Sequence, residues 1–357
     1  MSGTCSHGTV KSYSYQLNQW LIEVNAKDQH YQPPMRRSRD IQNFLRGLRT
    51  RQRRSVRRET VRALPPPLVR SLFYCCENWM NLFQSLTLEE KKDFCSNSDR
   101  VLRLRDLFAC TLNCWLGLRP SALLMLENID IKCLTGSVLS INASIDKVKD
   151  SANEVFSHTT YLVPSNSSDS IHARLKFMTK TWTIVKAASD ALTRTQLKCK
   201  EKTTGYFFIP LIAREECHVK KNQRCNVVTK MLRNALKNST ISHERTLLKD
   251  IFQNVDESWK FTGYSLRKAV ASNMYLCGIP IQDIEAHIGW SKKSKTCQVS
   301  YIDRSINSPR NRAICAELYA DLKMQYANAH LSHPVEDDED EINAWKKSFF
   351  SNFNRSC

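Results

Sequence analysis

Two arginines in this chain stand where a polypeptide can present them to an anion. Gly117-Leu118-Arg119-Pro120-Ser121-Ala122 places a guanidinium directly before a proline that opens a short helix. A helix start exposes free backbone N–H groups and the positive end of the helix dipole, so phosphate is the natural ligand there. The second arginine, Arg267, lies in the segment from Gly263 to Tyr301. In it Leu266, Val270, Met274 and Cys277 recur as one helical stripe that Gly278 ends, and Ile281, Ile284 and Ile288 form the facing stripe of a second helix. Arg267 sits beside the first stripe. Gly289 then permits a tight exit that leaves Trp290 at the end of the second helix, with Tyr301 following within reach. His287, three residues before Trp290, reads as a partly buried structural residue. No metal centre is expected, because Cys217-His218 with Cys225 lacks a fourth ligand and sits among Lys220, Lys221 and Arg224.

These residues need elements to hold them. Leu104, Leu107, Phe108, Thr111 and Trp115 line one face of a helix that Gly117 terminates. Leu139, Ile141, Ala143 and Ile145 alternate with Ser140, Asn142 and Ser144, the period of a strand with one buried face. Thr159 to Val163 supplies a β-branched partner strand, and the loop between the two carries Lys147 and Lys149. From about residue 171 to 290 the pattern is helical, broken by a short apolar run at Tyr206 to Ile209. After Tyr301, Ala313, Ile314, Leu318, Leu322 and Tyr326 mark one more amphipathic helix, whose apolar face can pack within its own chain. The expected fold class is mainly α with a small antiparallel β-sheet.

The surroundings are strongly basic. The 357 residues carry 53 Lys and Arg against 35 Asp and Glu, a formal charge of +18, which favours a polyanionic partner. With 41% apolar residues the chain packs a core. No apolar run reaches the roughly 18 residues needed to span a bilayer, and the start of the chain lacks a secretion signal, so an intracellular protein without a membrane partner is expected. Fourteen scattered cysteines without a CxxC pair read as reduced thiols, mostly in the core.

Arginine concentrates between Arg36 and Arg62, with eleven Arg against Asp40 and Glu59 alone. Ile41, Phe44, Leu45 and Leu48 give that stretch one apolar stripe, while Arg46, Arg49, Arg53, Arg57 and Arg58 occupy its other faces and are candidate DNA contacts. Ahead of it Tyr13, Leu17, Trp20, Leu21 and Val24 predict a helix stopped by Pro33-Pro34. Pro65-Pro66-Pro67 resists helix and sheet and predicts an extended spacer. The organisation expected is a basic helical unit over 1–64, a proline-rich linker over 65–70, a catalytic domain over 71–332 and a disordered acidic tail over 333–357, which holds six consecutive acids from Glu336 to Glu341.

Taken together, the motifs resemble those of the tyrosine recombinases, the phage-integrase and Cre-like family. Gly117-Leu118-Arg119 is similar to that family's first arginine box, Tyr264-Ser265-Leu266-Arg267 to its His-x-x-Arg, Ile288-Gly289-Trp290 to its Leu-Gly-His or Gly-Gly-Trp element, and Ser300-Tyr301-Ile302 to its nucleophile segment. Their order and the strand pair between them match over roughly residues 70 to 320, and the basic N-terminal unit resembles the family's core-binding domain. The resemblance implies that Tyr301 attacks a DNA phosphodiester to give a 3′-phosphotyrosyl intermediate, with Arg119 and Arg267 bracketing the non-bridging oxygens. It also implies a lysine on the turn between two strands as proton donor to the departing 5′ oxygen, and an indole N–H from Trp290 to the phosphate; extending the 139-141-143-145 alternation reaches Lys147 on the inward face, so Lys147 is preferred to Lys149. No metal or cofactor is needed.

Three departures from the family pattern stand out. Tyr264 replaces its histidine, Ala122 stands where an acid often supports the first arginine, and the eleven residues from Trp290 to Tyr301 exceed the commonest spacing by about two. The function implied is a site-specific recombinase or integrase acting on double-stranded DNA, self-associating as a tetramer on paired sites. The composition is similar to that of relatives from large arthropod DNA viruses or mobile elements, which implies a nuclear location. Two other classes fit the residues: an architectural DNA-binding protein of the same fold with weakened catalysis, and a membrane or ribonucleoprotein factor using only the Arg36 to Arg62 stretch. Relaxation of the type IB topoisomerase kind would share the mechanism without paired sites.

Overall fold

The computed structural model describes residues 61–134, 138–145, 156–167, 169–197, 204–220, 223–238, 261–290 and 301–327. The chain divides into two compact units, Met1–Thr60 and Val61–Cys357. The described residues all belong to the second unit, so Arg46, Arg49, Arg53, Arg57, Arg58, Lys147, Lys149 and the acidic tail lie outside them.

The second unit is mainly helical with a small antiparallel sheet, as the periodicities predict. Its helices are α1 (Pro66–Ser85), α2 (Leu88–Ser96), α3 (Ser98–Leu116), α4 (Pro120–Leu124), α5 (Ile171–Leu197), α6 (Arg224–Asn238), α7 (Gly263–Leu276), α8 (Ile281–His287), α9 (Pro309–Leu318) and α10 (Ala320–Ala327). The strands β1 (Ile131–Cys133), β2 (Leu139–Ile145) and β3 (Phe156–Leu162) form a sheet in that order, both pairs antiparallel. Leu139, Ile141 and Ala143 are buried, and β2 pairs with β3 in a register that sets Ile141 opposite Thr160 and Ala143 opposite His158.

The proline run corrects one expectation. Residues 65–70 are not an extended linker: Pro65 is the N-cap of α1 and Pro66 its first residue, with no spacer before the rest of the unit. A first helical turn has no intrahelical partner for its N–H groups, so prolines cost nothing there. Ala63, Leu64, Pro65 and Pro66 are buried, which anchors this start in the core.

Helix α3 is the centre of the unit. Fourteen of its residues are buried, including Arg105 and Asp106, which pair at 2.7 Å and reach Glu216 and Asn234. Asn97 caps its start and Gly117, at φ 62°, ends it in the left-handed region that glycine adopts without strain. Asn113 then brackets the exit, accepting from Leu118 N at 2.8 Å and donating to Leu118 O at 3.3 Å. These bonds fix the direction in which the chain delivers Arg119.

The last amphipathic stretch is two helices rather than one. At Tyr319 the side chain turns into the core, stacks on Trp115 with centroids 5.5 Å apart, and donates to Cys114 O at 2.7 Å. The Trp115 indole donates to Leu318 O at 3.2 Å, so that carbonyl serves a long-range partner at the break. Cys315 rather than Ala313 completes the buried face, and both helices pack against their own chain. The ten described cysteines are free thiols, eight of them buried.

Candidate functional site

Helix α7 carries the centre of the site. Thr262 caps it, accepting from Tyr264 N, while Ser265 Oγ accepts from Thr262 N at 2.9 Å. Gly263 is required by close approach: a Cβ there would lie 3.0 Å from both Pro120 and Val228, the contacts that seat α7 against α4 and α6. One turn later comes Arg267, only 3% exposed. Its guanidinium donates to Gly117 O at 2.5 Å and to Ile288 O at 3.1 Å. Those carbonyls belong to the glycine turn after α3 and to the end of α8, two segments 171 residues apart in the chain.

Aromatic rings enclose the same cation. The Arg267 guanidinium carbon lies 4.6 Å from the Trp290 ring centroid and 5.8 Å from that of Tyr301. The two rings are in contact at 4.6 Å with an interplanar angle of 59°. The Tyr301 phenol and the Arg119 charge both bear on the electrostatics of that guanidinium, the first favouring its charged form and the second opposing it. Tyr264 feels both arginines and Tyr301. The structure therefore brings Arg119, Tyr264, Arg267, Trp290 and Tyr301 to one place. Trp290 packs on both the arginine and the tyrosine, and Ala122 is half-buried beside the core.

The electrostatics of this cluster are those of an anion site. Among the described residues no carboxylate pairs with Arg119 or Arg267, and the Arg267 Nε–H is buried without a partner. Burial, aided by the neighbouring Arg119 charge, pushes the Arg267 pKa down to about 10, which leaves it cationic at neutral pH. A buried cation costs several kcal/mol unless opposite charge or hydrogen bonds offset it. Two carbonyls and an aromatic face offset part of that cost here; an oxyanion would offset more. Tyr264, 39% exposed, has its pKa raised by burial, with Cys225 and Tyr301 reinforcing the rise against the two arginines. It stays a neutral hydroxyl donor at neutral pH.

No known protein family profile and no curated protein matches this sequence. What the cluster can do must come from its own geometry.

Several positioning groups are invisible in the sequence pattern. Ser272, on α7, donates to Tyr301 O at 3.1 Å and accepts from Asp303 N at 2.8 Å, which pins the backbone of the tyrosine. Asp303 in turn accepts from Ala63 N at 3.2 Å. Gly289, at φ 68°, lies against His158 of β3, whose ring would be 3.0 Å from an added Cβ. His158 Nε2 donates to His287 O at 3.0 Å. Helix α6 is a second surface missed by motif reading. It contains no acidic residue, and Asn226, Lys230, Arg233 and Lys237 lie on its exposed face at three- and four-residue steps. Gly263 N donates to Thr229 Oγ1 of that helix at 3.0 Å, so the stripe adjoins the arginine site.

Proposed function

We propose that this chain cleaves and rejoins double-stranded DNA through a 3′-phosphotyrosyl intermediate, acting as a site-specific recombinase or integrase. The observation that carries the reading is the meeting of Tyr301 with Arg119, Arg267 and Trp290 in a cluster whose cations have no carboxylate partner among the described residues. A scissile phosphate brings the missing negative charge. Its non-bridging oxygens take charge-assisted hydrogen bonds from the arginines, and the buried Arg267 Nε–H is one donor that the protein itself leaves unpaired.

In the reaction the Tyr301 oxygen forms a bond to phosphorus and loses its proton while the bond from phosphorus to the 5′ oxygen breaks. The departing oxygen takes up a proton and leaves as a 5′-hydroxyl. By the resemblance described above, a lysine between β2 and β3 supplies that proton, Lys147 in preference to Lys149. Attack by a 5′-hydroxyl, from the same strand or another, reverses the step and restores the phosphodiester, so bond energy is conserved. Tyr264 contributes a neutral hydrogen-bond donor where the resembled family has an imidazole. The basic stripe on α6 and the Arg36 to Arg62 stretch then hold the duplex through its phosphates. Exchange between two duplexes requires several copies, a tetramer on paired sites.

One second reading is favoured by particular residues. Tyr264 and Ala122 depart from the resembled pattern in the arginine surroundings, as an architectural DNA-binding protein with weakened catalysis would. A labelled, nicked duplex suicide substrate followed by denaturing electrophoresis separates the two. Strand transfer predicts label attached to wild-type protein and none attached to Tyr301→Phe, with duplex binding retained by both. Label on the Phe variant, or none on wild type, overturns the assignment.

A further inference from the structure

His287 is fully buried, and the chemistry proposed above leaves it idle. It closes the last turn of α8, and its ring makes two hydrogen bonds to distant parts of the chain. Nε2 lies 2.6 Å from Trp115 O, and Nδ1 lies 2.8 Å from the Tyr326 hydroxyl. A carbonyl oxygen can only accept, so Nε2 carries the proton and Nδ1 accepts from the tyrosine. The ring is thereby fixed as one neutral tautomer. Burial, reinforced by His172 and His158, lowers its pKa to about 4 and keeps it neutral at physiological pH.

The location of these bonds gives them a consequence. Trp115 precedes by two residues Gly117, whose carbonyl accepts from Arg267. His287 immediately precedes Ile288, whose carbonyl is the other acceptor. The imidazole therefore ties together, one step further from the site, the two segments that grip the guanidinium. His158 holds the same turn from the β3 side, through His287 O. We propose that His287 is a positioning residue for Arg267: its neutral ring sets the spacing of the Gly117 and Ile288 carbonyls, and thereby aims the guanidinium, and the Trp290 that follows, at the substrate phosphate. This inference rests on the strand-transfer reading for its substrate but not for its geometry.

The ring nitrogens report the clamp without turnover. In full-length protein with labelled histidine, the nitrogen shifts of His287 are expected to show the Nε2–H tautomer, neutral from about pH 8 to about pH 5. The groups that bear on it are His158, His172 and the Tyr326 hydroxyl, with Asp283 acting through Tyr326. An Nδ1–H tautomer, or protonation at the ordinary histidine pH, overturns the clamp.

Cleavage of the suicide duplex tests the consequence. His287→Phe is expected to lower the rate by about 10- to 100-fold with duplex binding unchanged, because small misplacements of a phosphate-binding group are that costly. His287→Gln, which can still donate to Trp115 O, recovers most of the loss. In an Arg267→Ala background the same His287 changes have no further effect, since the residue they act through is gone. An equal extra loss in that background means a general structural role and overturns the proposal. Tyr326→Phe removes one hydroxyl from a half-buried position and is the milder variant if the Phe substitution does not fold; a cleavage rate equal to wild type in Tyr326→Phe also overturns it. If wild-type protein forms no adduct while the ring nitrogens behave as expected, the strand-transfer reading fails and the clamp stands.

Discussion

Replacing Arg267 by lysine keeps the charge and removes the planar fork, which makes Arg267→Lys the sharpest probe of the site. In the wild type one nitrogen reaches Gly117 O at 2.5 Å, a second reaches Ile288 O at 3.1 Å, and the guanidinium carbon lies 4.6 Å from the Trp290 ring. An ammonium at the end of a flexible stem can serve one of those carbonyls well, but not both, and it has no plane to stack. The substitution removes one charge-assisted hydrogen bond, about 1.5–3 kcal/mol, together with part of a desolvated cation–π interaction of about 2 kcal/mol. The expected destabilisation is about 2–4 kcal/mol. With an m-value of about 3 kcal/mol/M, that lowers the urea midpoint by roughly 1 M. Cleavage should fall by about 100-fold or more, because the transition-state donors lose their aim. Duplex affinity should hardly change, since the net charge is the same. Paired measurements of urea unfolding and suicide-substrate kinetics check both limbs. A lysine variant that cleaves at the wild-type rate would refute the argument that geometry, rather than charge alone, is what α7 supplies.

Other perturbations probe separate parts of the reasoning. Arg119→Ala should slow cleavage by about two orders of magnitude or more, read as single-turnover adduct formation, while leaving the fold intact because its side chain is only half-buried. Acidification should weaken the fold through His287. Its folded pKa of about 4 lies below the ordinary histidine value of 6.5, so between those values the unfolded chain binds the extra proton. Stability contributed by this group is full above about pH 6.5 and falls as pH drops toward 4, by roughly 3 kcal/mol in all. His172, lowered by burial, acts in the same direction. Urea unfolding at pH 7.5 and pH 5 measures the slope, which His287→Gln should flatten. Charge reversal of Lys230 and Arg233 together should weaken duplex binding and reduce its salt dependence. The log–log slope should shrink by about one unit for each phosphate the protein no longer neutralises, as titrations at several salt concentrations would show.

How much of this was legible in the sequence depended on whether the signal was local. Period-two alternation from Leu139 to Ile145 marked the strand, and Gly117 and Gly278 marked helix ends because a left-handed residue after a helix is a local requirement. Motif order nominated Arg119, Arg267, Trp290 and Tyr301, which the fold gathers. Three prolines misled, because the same residues that forbid a helix interior suit a helix start, and only the burial of Ala63 and Leu64 decides between the two. The break at Tyr319 depended on Trp115, some two hundred residues earlier, and no pattern within the helix records that stacking. The same holds for His287, whose partners Trp115 and Tyr326 lie far away on both sides, and for the carbonyls that grip Arg267.

The enclosure of α3 on nearly every face sets the order in which this unit can breathe. A helix so little exposed to water is expected to exchange its amide hydrogens only when the whole unit opens, more slowly than the other described segments. Arg119 follows directly from its end and moves with that rigid axle. Tyr301 and Trp290 are held at the rim, half-buried and outside any long helix. Local opening is therefore expected to begin on the aromatic side and to leave Arg119 in place, which earlier amide exchange at Tyr301 than in α3 would show.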